Sequence, residues 1–127
     1  SRMEGGYART ALEYLHALEK RAAVQRAFAE AFETVDVLIG ATLPVAPPAI
    51  ADPQVVFRGV NANVVEAFTR FNAPQNVAGI PSLTVPAGMA GGFPVGLQVM
   101  GAAGSDGAVL AVGRAWQQRT DWHSRVA

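Results

Sequence analysis

Between Asn76 and Gly101 the chain reads NVAGIPSLTVPAGMAGGFPVGLQVMG, a stretch without a single Asp, Glu, Lys, Arg, His or Cys. Pro81, Pro86 and Pro94, with the glycines from Gly79 to Gly101, punctuate two short apolar runs, IPSLTVP and FPVGLQVM. Proline in a helix interior removes a hydrogen bond and clashes with the preceding turn, so helix is excluded from both runs. Short apolar runs bounded by turn residues predict two buried strands joined by a glycine-rich turn. This segment can perform no acid–base chemistry, so any chemistry must come from elsewhere.

The neighbouring elements follow from periodicity. From Tyr7 to Phe32, Leu12, Leu15, Leu18, Ala22, Phe28 and Phe32 recur at helical spacing among good helix formers. VDVLIG predicts a short strand buried on both faces, and ATLPVAPPAIADP an extended loop kept out of helix by its prolines. NANVVEAFTRF predicts a short helix, with Asn63 and Glu66 at capping-box spacing. A last helix is expected over 106–119, with Ser105 as N-cap and Val109, Val112 and Trp116 on one face. The order helix, strand, helix, strand, strand, helix is that of an α/β layered piece, a mixed β-sheet flanked by helices. The proline loop stays within one domain spanning 1–127.

Composition narrows the function classes. Half of the 127 residues are hydrophobic and only 16% are charged, against about a quarter in a usual globular domain. Such a coat suits a piece that packs against something else. Ten basic and ten acidic residues cancel, so no footprint for nucleic acid or an anionic membrane is present. The absence of cysteine excludes disulfides and thiolate metal sites and fits a cytoplasmic protein. The longest uncharged apolar-rich run, 37–51, is too short to span a bilayer and holds three prolines.

Four constellations invite a chemical reading. VMGAAGSDGAVLAV resembles a phosphate cradle, but its glycines follow G-x-x-G-x-x-G and Asp106 repels phosphate at the helix start; a tight strand-to-helix turn is the better reading. DWHS holds Asp121, His123 and Ser124 side by side, whereas a triad is a geometry in space. His16 is too isolated for a metal site, and Glu13 and Glu19 read as solvated helix face. Lys20 lies between Glu19 and Arg21 on a wet face, and nothing near Ser82 in sequence would activate its hydroxyl. No catalytic set is legible, and no metal or cofactor is expected.

The stretch RFNAPQNVAGIPSLTVPAGMAGGFPVGLQVMG resembles the C-terminal core of amidase signature enzymes. That family shows a Thr-x-Pro-aromatic-Asn-x-x-Gly-Leu-Pro-Ala-Leu-Ser-Val-Pro run followed by Gly-Leu-Pro-Val-Gly-Leu-Gln. FETVDVLIGATLPVAPP is similar to the family's Asp-Val-Leu-Leu-x-Pro-Thr segment, and EYLHALEKRAAVQRAFAEAF to the helix before it. The resemblance implies a fragment of the amidase signature fold. It also implies an activity, hydrolysis of carboxamides to carboxylate and ammonia through an acyl-serine. The serine–serine–lysine set of the family lies in an N-terminal signature that this chain does not contain, so the chain alone is expected to be inactive. The expected partners are the missing N-terminal amidase portion, a small amide substrate and further copies of the chain.

The resemblance also implies the substrate-pocket residues: Thr42, Asn72, Gln75 and Asn76. Asn72 stands where the family commonly has threonine, Gln75 where it has an aromatic or aliphatic residue, and Ala41 where it has proline. Thr69 falls where the glutamine-using member of the tRNA-dependent amidotransferase has an aspartate that binds the substrate's amino group, which argues against glutamine. The rival expectation is a non-catalytic interaction module whose same surface binds a partner chain.

Overall fold

The computed structural model describes residues 4–52 and 54–125. A single turn, α1 (Glu4–Tyr7), leads into the long helix α2 (Ala11–Phe32). Thr10 starts α2 with a capping box: the Glu13 amide donates to Thr10 Oγ1 (3.2 Å), and the Thr10 amide donates to Glu13 Oε2 (2.8 Å). No residue of α2 is buried. Its second half rests on α4 (Ala73–Ala78), where Arg21 Nε and Gln25 Nε2 donate to the carbonyls of Val77 and Ala78, each at 3.1 Å. Those carbonyls belong to the last turn of α4 and have no partner within it.

Strands β1 (Val37–Ala41), β4 (Ser82–Ala90) and β5 (Phe93–Gly101) form a sheet in the order β1-β5-β4, with both pairs antiparallel. The α/β layering is as expected. A tight turn at Gly91 and Gly92 joins β4 to β5, with φ of 58° and 83°. A glycine pair adopts two left-handed conformations in succession without a Cβ penalty, and such a turn matches the strand twist. A bulge between Pro86 and Gly88 shifts the register, so that Pro86 faces Gly96 and Gly88 faces Val95.

One face of the sheet packs on α5 (Asp106–Arg119). Val85, Val99 and Val109 form its buried centre, and a Cβ on Gly113 would run into Leu83, so the helix approaches β4 closely. Trp116 Nε1 donates to the Pro86 carbonyl (2.9 Å), pinning the helix to the bulge. Ser105 does not cap α5. Its backbone lies outside the extended region that a cap requires, and its hydroxyl donates to the Ala102 carbonyl at 2.7 Å.

Residues 54–63 form an unexpected hairpin, β2 (Gln54–Phe57) with β3 (Val60–Asn63). It leads directly into α3 (Val64–Thr69). Asn63 Oδ1 accepts from the Val65 amide (2.9 Å), but the capping box is incomplete, because Glu66 turns to Arg70 instead (3.4 Å). Strands β1 and β4 were expected to be buried on both faces; instead no residue of β1 is buried, and Ile39 is 59% exposed.

Candidate functional site

The sheet face away from α5 carries a polar ladder. Residues directly opposite in an antiparallel pair share a face, and the register sets Thr84 against Gln98 and Ser82 against Met100. Thr42, just beyond β1, donates through its hydroxyl to Thr84 Oγ1 (3.1 Å). This pair can form because residue 96 lacks a side chain: a Cβ there would lie 2.7 Å from Thr42 Oγ1 and 2.9 Å from Thr84 Cγ2.

Helix α4 brings the amides onto the same face. Asn72 Nδ2 donates to the carbonyls of Phe68 (3.0 Å) and Thr42 (3.3 Å), and Asn72 Oδ1 accepts from Gln98 Nε2 (2.9 Å). Gln75 Nε2 donates to Gln98 Oε1 (3.2 Å) and lies 2.7 Å from Met100 Sδ. Gln75 and Gln98 are both buried. Asn72 occupies the N-cap position of α4 without capping it, because its side chain is committed to the ladder. Pro74 at the helix start and left-handed Gly79 just past its end bound this six-residue helix.

A cleft of about 390 Å³ lies along the ladder, bordered by Asn72, Gln75, Asn76, Ser82 and Gln98. Of the residues expected at a substrate pocket, Asn72, Gln75 and Asn76 line it directly, and Thr42 joins through its hydrogen bonds to Thr84 and Asn72. Ser82, Thr84 and Gln98 were not anticipated. The signal for them is the alternation in SLT and LQV, which places polar side chains on one face of otherwise apolar strands. A second, apolar cleft of about 600 Å³ runs between the Thr42–Pro47 loop and the β4–β5 hairpin, and Thr84 borders both.

Among the described residues, no ionisable side chain lines the polar cleft, so the wall that this chain supplies can bind and orient but cannot transfer protons. Lys20 is exposed on α2. At the other end, Asp121 is held by Arg125 (2.8 Å), whose hydrogen bonds keep its carboxyl below the usual range, and Ser124 donates to the Asp121 carbonyl (2.7 Å). These residues form a closing turn rather than a triad. Among the described residues, no group of three His, Cys, Asp or Glu side chains could hold a metal, and no helix is long and apolar enough to cross a membrane.

Comparison with known proteins gives one consistent result. The A subunit of glutamyl-tRNA(Gln) amidotransferase from a Synechococcus strain is 37% identical over 112 residues, covering 88% of this chain and 21% of that protein. Its counterpart from Marinobacter nauticus is 40% identical over 113 residues, covering 88% and 22%. The chain thus spans about a fifth of the length of these curated relatives. A crystal structure of an amidase superimposes with a TM-score of 0.83 at 34% identity, over 91% of this chain and 26% of that one. The corresponding amidotransferase structure from Thermotoga maritima gives a TM-score of 0.65 at 27% identity, over 89% and 25%. The amidase family model matches residues 1–110, and the chain belongs to the amidase signature family.

Proposed function

We propose that this chain is the C-terminal part of a single amidase signature domain, and that it forms one wall of a substrate pocket. The parent reaction is R–CO–NH2 plus water giving carboxylate and ammonia. A serine oxygen supplied by the rest of the domain bonds to the carbonyl carbon, the C–N bond breaks with protonation of the nitrogen, and water then hydrolyses the acyl ester. No metal or cofactor enters this scheme. The observation that carries the reading is the uncharged ladder Thr42–Thr84 and Asn72–Gln98–Gln75, which borders a polar cleft with hydrogen-bonded hydroxyls and amides and carries no ionisable group to act as a base. Thr42, Asn72, Gln75 and Asn76 are the pocket residues in this proposal.

Among the amides that members of the family use, glutamine is disfavoured as the substrate of the protein to which this chain belongs. Thr69 stands where an acidic group is needed, and its hydroxyl donates to the Val65 carbonyl of its own helix (2.8 Å). A neutral, internally bonded side chain makes no ion pair with an amino group.

The test is ammonia release from a panel of aliphatic and aromatic amides, by the natural full-length protein and by residues 1–127 alone. The full-length protein should turn over and the chain alone should not, since loss of the nucleophile leaves at best a residual rate. Turnover by the chain alone, abolished by Ser82→Ala, would overturn the assignment. The rival reading, an interaction module, draws on the exposed apolar residues Leu12, Leu15 and Leu18 of α2. It is favoured if the natural protein neither turns over amides nor contains an upstream serine and lysine signature.

A further inference from the structure

We infer that Trp116 and Trp122 are positioning residues, which fix the β4 bulge from the α5 side of the sheet and thereby set the Thr42–Thr84 pair on the pocket side. This rests on the amidase reading and adds to it two residues that act on the pocket wall without facing it. Both lie beyond residue 110, where the match to the family model ends.

The two indoles of the chain converge on one place. Trp116 Nε1 donates to the Pro86 carbonyl (2.9 Å). The indole of Trp122 covers Gly88, its nearest ring carbon 3.8 Å from where a Cβ would stand. Pro86 and Gly88 are the two residues between which the register shifts. A bulge interrupts the ladder and bends its strand, so the contacts that hold it decide where the strand runs on either side. Gly88 has a φ of 144°, a conformation that a side chain would strain, which keeps this spot bare for the indole. Arg125 completes the brace. Its guanidinium lies over the Trp122 ring, 4.2 Å from the centre, and pairs with Asp121 (2.8 Å).

From the bulge, contacts run to the pocket wall. Pro86 stands opposite Gly96 in the β4–β5 register. The Gly96 carbonyl accepts from the Thr42 amide (3.0 Å), and the missing Cβ of Gly96 leaves the space in which Thr42 Oγ1 meets Thr84 Oγ1 at 3.1 Å. The Thr42 carbonyl accepts in turn from Asn72 Nδ2 (3.3 Å), the first amide of the ladder. Thr84 precedes Pro86 by two residues on the same strand. A shift of the bulge therefore moves Thr84 directly and Thr42 through Gly96.

Anchoring α5 does not require these side chains. Val85, Val99 and Val109 already bury the helix against the sheet, and Leu83 closes on Gly113 so tightly that a Cβ there would collide. Both indoles are only partly buried, yet both are directed at the bulge. A pocket wall loosened from behind weakens the binding of substrate and transition state alike, which raises KM and leaves kcat unchanged.

The test uses the natural full-length protein and the amide of the panel above that it hydrolyses fastest. Trp116→Phe keeps an aromatic ring and removes the donor to Pro86; Trp122→Leu keeps apolar bulk and uncovers Gly88. Each should raise KM by about threefold or more, with kcat within about twofold of the wild type. A residue that only anchors α5 lowers the melting temperature and the active fraction, hence kcat, and leaves KM where it was. Unchanged KM in Trp116→Phe overturns the inference while the amidase reading stands, and this conservative variant keeps the test decisive if Trp122→Leu fails to fold. If the wild type turns over no amide of the panel, the amidase reading falls by itself, and combining Trp116→Phe with Thr84→Val decides for the link. The two side chains lie on opposite faces of the sheet, so unlinked effects add. A shift in melting temperature smaller than the sum of the two single shifts upholds the link, because the loosened bulge has already released the Thr42–Thr84 bond. A shift equal to the sum ends it.

Discussion

Asn72 shows how a pocket residue can act through other side chains. Both its amide hydrogens and its oxygen are committed to Phe68, Thr42 and Gln98. Asn72→Thr, which restores the residue common in the family, removes partners from Gln98 and from two carbonyls. It should lower stability by about 1–3 kcal/mol, the penalty of partly buried groups left unpaired. A lowered melting temperature with unchanged preference between polar and apolar amides identifies bracing as its role; a changed preference at unchanged melting temperature identifies direct contact. Gly96→Ala tests the other half of the ladder. The added methyl meets Thr42 and Thr84 inside van der Waals contact and should cost about 1–3 kcal/mol by overpacking, read from chemical denaturation. Thr42, Asn72, Gln75 and Asn76 were legible because the family pattern marks their positions. Ser82, Thr84 and Gln98 were not, since their roles arise only when strand register sets them face to face. Sequence alone shows alternation, not partners.

Elements whose identity depends on long apolar pattern were readable, and those that depend on a local turn were not. The strands around Gly91 and Gly92 and the helix over 106–119 agree with expectation. The β2–β3 hairpin escaped because its turn is Arg58-Gly59, where φ is 53° and 78°. Such a turn favours Asn-Gly, and arginine hides the signal. Helix α4 escaped because six residues are too few for periodicity. Left-handed backbone strains a residue with a Cβ, so Arg58→Asn should stabilise the hairpin by up to about 1 kcal/mol. The stacking of Arg58 on Phe57, 6.0 Å from the ring centre, opposes the gain only weakly. Thermal unfolding checks the sign, and a lowered melting temperature would show that the stacking outweighs the strain. At the start of α2, hydrogen bonds from the Thr10 amide and hydroxyl, then Arg9, hold the Glu13 carboxyl below its ordinary range. A lowered folded value means that the cap is fully formed above the unfolded carboxylate value of about 4.3 and is lost as pH falls through the folded one. Amide exchange of the first turn of α2 should therefore accelerate in acid, relative to the intrinsic rate. Glu13→Gln should abolish that pH dependence.

At the scale of the whole molecule, the fold leaves much apolar surface in water. Leu12, Leu15 and Leu18 are exposed on α2, Ile39 on β1 and Leu110 on α5, and the cleft beside the proline loop is lined mainly by apolar groups. Strands β1 and β4 are the two edges of the sheet, so each keeps a row of backbone groups without a strand partner among the described residues. A low charge fraction gives little repulsion to oppose association. The layering was legible in the sequence, but the half-exposed state of β1 was not, because an apolar run records what a strand prefers to face and not which neighbour supplies it. Residues 1–127 produced alone should thus self-associate or bind a hydrophobic dye, through surface that the rest of an amidase domain would cover. Light scattering over a concentration series, with dye fluorescence at each point, makes the measurement. Mass should rise with concentration, and adding the N-terminal amidase portion that the proposal assigns to the natural protein, produced separately, should return the chain to a one-to-one complex with quenched dye signal. A strictly monomeric chain that binds no dye would show that these exposed residues are ordinary solvated surface, and the pocket-wall proposal would lose its structural motive.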